Sequence, residues 1–172
     1  MNATWILVVA VGLYVATAAV TDLRMRRIPN YLTVPTALLG LAYHTLAPGG
    51  YGFWVALGGF GVGLALLMLP ALAGGSGMGD VKLLAALGAW FGTQGLLVAF
   101  VFAALIASVI ALSVIVGSVF RRGVSKTSRR YVAARRPTGK HRRPQPRVIP
   151  FAVPVAMSTY LVLTWMVVRG GL

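Results

Sequence analysis

The chain has no cysteine and, among its 172 residues, only two acidic ones, Asp22 and Asp80. Without cysteine there is no disulfide, no thiolate metal site and no cysteine nucleophile. Two isolated histidines, His44 and His141, are too few for the ligand spacing zinc needs, so neither a metal nor any other cofactor is expected. Charge is scarce overall. Only 10% of residues are charged, where a soluble domain has about a quarter. A basic n-region ahead of the first apolar run is missing too, so residues 1–20 do not read as a cleaved signal peptide. They read as a retained spanning helix.

What the chain does have is apolar sequence. Hydrophobic residues make up 58% and mean hydropathy is +0.84, which assigns it to the membrane class. The formal net charge of +14 would suggest nucleic acid in a soluble protein, but here the basic residues sit between apolar runs. Arg24, Arg26 and Arg27 form one cluster, Lys82 stands alone, eleven more lie between Arg121 and Arg147, and Arg169 is last. That distribution sets membrane topology, and no nucleic-acid partner is expected.

Crossing roughly 30 Å of hydrocarbon takes about 20 apolar residues. Trp5–Val20, Tyr31–Ala47 and Tyr51–Ala73 are the first three runs. Residues 80–120 would form a helix of about 60 Å, twice the bilayer, so a turn is required. Gly92-Thr93-Gln94-Gly95 is the place for it. Val148–Val168 is the sixth run. The expected fold is therefore all-α, a polytopic membrane protein of six transmembrane helices, with both termini outside and the basic loops cytoplasmic. This arrangement puts fifteen of the sixteen basic residues on one side, Arg169 excepted. Residues 1–172 read as a single integral-membrane domain. The segment 121–147, with Pro137, Pro144 and Pro146, reads as a basic cytoplasmic loop within it, lying against anionic lipid.

The two acids are 58 residues apart in sequence, yet the topology brings both to the cytoplasmic ends of their helices. An ionisable group at the edge of a span is costly and marks a functional site by default. Structural alternatives exist for each. Asp22 can pair with Arg24, Arg26 or Arg27. Asp80 can cap the fourth helix or pair with Lys82. The flank Gly77-Met78-Gly79-Asp80-Val81-Lys82 would let an extended peptide approach the carboxylate, because glycine has no Cβ; a small-residue packing motif is the alternative. Lys82 either tunes the acids or anchors its helix at the headgroups. Pro29 and Asn30 are expected to set the turn into the second helix, with Pro29 at its first position. Pro150 and Pro154 are expected to break or kink the last helix. Trp5, Tyr31, Tyr51, Trp54 and Trp90 read as interfacial anchors. His44 lies near the outer side and receives no catalytic role.

Gly77-Met78-Gly79-Asp80, followed by Val81-Lys82-Leu83, resembles the signature of the Gly-x-Gly-Asp aspartyl peptidases, and specifically of the type IV prepilin peptidase family. Asp22 with Arg27-Ile28-Pro29-Asn30 and Leu32-Thr33 resembles that family's first catalytic-aspartate segment. Ile149-Pro150-Phe151-Ala152 and Pro154 resemble its last-helix motif. The resemblance runs from about residue 15 to 165. It implies that Asp22 and Asp80 are the catalytic pair, supported by Gly77, Gly79, Lys82, Pro29, Asn30 and Pro150. It implies a prepilin or pseudopilin substrate, cleaved after a glycine that ends a cationic leader, in the cytoplasmic membrane of a prokaryote. The large members carry a cysteine-containing cytoplasmic part associated with N-methylation. This chain is similar to the short, peptidase-only members serving Flp/Tad-type pili, and no dependence on S-adenosylmethionine is expected. An ion- or proton-coupled transporter and a non-catalytic assembly subunit are the competing readings.

Overall fold

A computed structural model describes residues 3–47, 50–72, 77–122 and 151–168. All regular structure among them is helical. In chain order come α1 (Ala3–Met25), α2 (Asn30–Leu46), α3 (Phe53–Leu72), the run Met78–Arg122, and a last helix, Ala152–Val168. The run is broken at Gly92, whose φ of 65° and ψ of −176° are not helical. This divides it into α4 (78–91) and α5 (93–122), and the last helix is α6. The break falls inside the segment where length demanded a turn. Fold-back is visible in the packing as well. A Cβ on Gly88 would sit 3.0 Å from Leu96 Cδ2, whereas eight residues of unbroken helix span about 12 Å.

Trp5–Met25, Phe53–Leu72 and Met78–Gly117 are long and apolar enough to cross a membrane. Their large side chains point outward in numbers that water would not tolerate: Leu13, Leu69 and Val101 are all exposed. Hydrocarbon is the medium such a surface fits, and the chain is an integral membrane protein. The helix α4 is the exception. It is apolar all round and buried all round, from Leu83 to Phe91. At about 21 Å it is also shorter than the hydrocarbon core.

The chain forms two compact units, residues 1–104 with 150–172, and residues 105–149. In the second, the described part is helical, and none of residues 105–117 is buried. In the first, α1 packs on α6 and α2 on α3. Glycine lets α3 and α4 meet backbone to backbone. A Cβ on Gly59 would collide with the carbonyl oxygen of Gly88, and one on Gly88 with that of Gly59. Contact this close is a main source of helix association where there is no water to expel. Tyrosines tie the rest together. Tyr14 donates its hydroxyl to Leu83 O on α4 (3.3 Å), and Tyr160 on α6 donates to Gly12 O on α1 (2.8 Å).

Trp90 corrects one expectation. It is 3% exposed rather than interfacial. Its indole N–H donates to Thr36 O on α2 at 2.8 Å, and its ring lies where a Cβ on Gly40 would be. A ring with its polar atom satisfied can leave the interface for the core. Trp5, Tyr31, Tyr51 and Trp54 are exposed. The break at Gly92 leaves carbonyls at the end of α4 without helical donors, and His44 fills one vacancy. Its Nε2 lies 2.7 Å from Trp90 O, and the Tyr51 backbone N–H donates to its Nδ1 at 3.4 Å. This pairing selects the Nε2–H tautomer.

Candidate functional site

The site begins where α1 ends. Asp22 lies in the last turn of α1, three residues inside the helix rather than beyond it. Arg26 N–H donates to Asp22 O at 2.8 Å, and Arg26 takes a left-handed φ of 52°. This reverses the chain, and Ile28 packs beside Gly79 at the start of α4. Pro29 is not the first residue of α2, as expected, but its N-cap. Its backbone is extended (φ −75°, ψ 146°), and its carbonyl accepts Leu32 N–H (3.1 Å) and Thr33 N–H (3.3 Å). Both arrangements suit proline, which has no N–H to leave unpaired at either place.

A carboxylate in the last turn of a helix faces the negative end of the helix dipole. Asp22 is offset by another helix. The N–H of Ala152, the first residue of α6, donates to Asp22 Oδ2 at 3.4 Å. Thus the positive end of α6 is directed at Asp22. Pro154 lies in the first turn of α6, where a missing N–H breaks no helical bond; it makes a start rather than a kink. Pro150 lies outside the described residues, as do 123–147 of the basic segment. The first two residues of that segment, Arg121 and Arg122, end α5.

Asp80 is the third residue of α4. Its carboxylate accepts the backbone N–H of Gly77, while its own N–H donates to Gly77 O at 3.1 Å. That is one half of a capping box, so the capping alternative describes part of what Asp80 does. Asp22 and Asp80 are also close enough for the charge on one to act on the other. Asp22 is buried and Asp80 half-buried. The ion-pair alternatives are not realised: among the described residues neither acid pairs with Arg24, Arg26, Arg27 or Lys82. Lys82 instead reaches α2, donating from Nζ to Asn30 Oδ1 at 2.8 Å.

The flanking glycines act through their missing side chains rather than through an unusual backbone. Neither Gly77 nor Gly79 takes a positive φ. A Cβ on Gly77 would lie 3.8 Å from Asp80 Oδ2, against the carboxyl itself. Absence of a side chain there leaves that side of the carboxylate open. A cavity of about 420 Å³ is lined by Tyr43 and Trp90 at the other end of α4, and its lining contains no acid. No group of metal-ligating side chains exists among the described residues. The backbone donor at Ala152 escaped the sequence reading. The motif around it was visible, but an N–H belongs to every residue type except proline and has no signature.

A buried acid at the end of α1, met by the N-terminus of α6, and a half-buried acid at the start of α4 form a site suited to acid–base chemistry. Comparison with known proteins gives that site a lineage. The model of the type IV leader peptidase family matches residues 7–112, and the chain belongs to that family. Two curated relatives, both named prepilin leader peptidase/N-methyltransferase, come from Aeromonas salmonicida, one of them from strain A449. Each is 33% identical over 173 aligned positions, which cover 94% of this chain and 47% of the relative. The chain thus spans about half the length of the curated relatives it matches. No solved structure matches it.

Proposed function

We propose that the chain is an aspartyl endopeptidase that removes the short basic leader from prepilin-like proteins, cutting after a glycine. The observation that carries this reading is the meeting of Asp22 and Asp80. They are the only acids in the chain, they come from helices far apart in sequence, and the charge on Asp22 acts on Asp80. Family membership supports it: both named relatives are leader peptidases.

Two carboxyls in such proximity share protons, and the pair titrates in two macroscopic steps. The ionised member takes a proton from water, which attacks the scissile carbonyl. The protonated member donates to the carbonyl oxygen, then assists departure of the amine. One of the two acts as the base and the other as the acid, and backbone N–H groups of Ala152 and Gly77 reach Asp22 and Asp80 respectively. The open side at Gly77 admits the peptide. In this reading, residues 1–172 act as one membrane domain of six spans in the cytoplasmic membrane of a prokaryote. The acids and the basic segment 121–147 face the cytoplasm, and anionic lipid offsets repulsion between that segment and a cationic leader.

Co-expression with a prepilin tests the proposal. The wild-type chain shortens the pilin, and Asp22→Asn and Asp80→Asn each leave it full length. Processing retained in either variant refutes the aspartate pair.

A further inference from the structure

A second cavity, about 250 Å³, lies between α2, α3 and α4. Its chemistry divides along its length. At one end stand Asn30, Thr33 and Lys82, and beyond them it is lined by Ala37, Leu41, Phe60, Leu64 and Ala85. Three features of the polar end favour an anion. Lys82 has one described hydrogen bond, to Asn30, leaving two ammonium donors available and no carboxylate beside it. Thr33 is 3% exposed, and its hydroxyl has no partner. A buried hydroxyl left unbonded is costly, so a ligand that accepts or donates there is favoured. The N-terminus of α2 opens at Asn30 with no side-chain cap; Leu32 and Thr33 N–H turn back to Pro29 O, which leaves the Asn30 and Tyr31 N–H groups and the positive end of the dipole at this end of the cavity.

The peptide proposed to react at Asp80 is not the occupant these features describe. On α4, Lys82 and Ala85 lie about 200° and about 140° around the helix from Asp80. The cavity is therefore on the opposite face of α4 from the acids. Val34 and Leu38, also in its lining, are exposed on the outer surface of α2, which opens the cavity sideways toward hydrocarbon. A lipid enters by that route.

We propose that this cavity binds one anionic phospholipid, the phosphate held by Lys82, the Thr33 hydroxyl and the α2 N-terminus, with an acyl chain along Ala37, Leu41 and Phe60. A bound lipid would brace α2 against α4 and so set the depth of the helix that carries Asp80. The site is independent of whether the chain cleaves prepilins.

Native mass spectrometry of the intact chain in mild detergent, titrated with phosphatidylglycerol or phosphatidylcholine, tests this. The wild type is expected to retain one phosphatidylglycerol in preference to phosphatidylcholine. Lys82→Gln weakens that first binding step about tenfold, the loss of one charge-assisted hydrogen bond. Lys82→Arg keeps it. Ala37→Phe, which fills the apolar end and leaves the cation in place, also weakens it. Lys126→Gln, in the basic segment, leaves it unchanged. Equal retention of the two lipids, or a first binding step that Lys82→Gln and Ala37→Phe do not alter, overturns the proposal. So does a Lys82→Arg chain as weak as Lys82→Gln. Displacement of the lipid by a prepilin leader peptide would give the cavity to the substrate and overturn it as well.

Discussion

His44 and Asp22 are both buried polar side chains in one small bundle, and their surroundings treat them in opposite ways. At the Gly92 end of α4, polar groups are paired off. His44 bridges Trp90 O and Tyr51 N–H, Trp90 bonds Thr36 O, and His44 stacks on Tyr51 with centroids 5.1 Å apart. At the Asp80 end, groups are left with capacity to spare. Asp22 has a single long bond at 3.4 Å, Lys82 a single partner, and Thr33 none. Satisfied polar networks hold a fold rigid. Unsatisfied ones mark places where a ligand completes the set. The difference separates a satisfied scaffold end from the end that holds the proposed site.

Five substitutions would break or sharpen that contrast. The largest effect belongs to the acids. Asp22→Asn and Asp80→Asn should each lower the cleavage rate by at least about 100-fold, with thermal unfolding in detergent close to wild type. Loss of folding instead would make both residues structural and erase the contrast. Next is Gly88→Val on the scaffold side. The Gly59 carbonyl leaves no room for the new side chain, so about 3 kcal/mol of stability should be lost, read as a lower midpoint of thermal unfolding. His44→Leu follows. It strands the Trp90 carbonyl and should cost about 2 kcal/mol, while the rate per folded molecule stays at the wild-type value. A specific loss of rate would show that the Gly92 end takes part in the chemistry. The smallest effect belongs to Ala152→Pro. Proline fits the first position of a helix and deletes only the N–H donated to Asp22. Cleavage should slow about tenfold with little change in unfolding temperature. An unchanged rate would leave α6 no part in setting the charge on Asp22.

Much of this was legible in advance, and for definite reasons. Apolar runs between basic clusters report helices directly, because a span must be apolar for the length of a bilayer. Length required a break in residues 80–120, and the paired glycines of Gly92-Thr93-Gln94-Gly95 located it. Rarity made the acids visible, since two carboxylates in 172 residues stand out however the chain folds. Less legible were the roles that depend on neighbours. Trp90 looked interfacial because tryptophans usually are. Only the partner at Thr36 and the gap over Gly40 account for its burial. Pairing with Asp80, two residues away, was only one alternative for Lys82, and it reaches Asn30 on another helix.

By itself, then, the sequence determined the membrane class, the helices and the identity of the two acids, all of which follow from composition and spacing along one chain. Tertiary structure alone decided what those acids face. An α6 N–H answers Asp22, an N-cap N–H answers Asp80, and the charge on Asp22 acts on Asp80 across helices distant in sequence. Backbone donors and through-space fields are the same for almost every residue type. They leave no trace in the letters and exist only once the helices have packed.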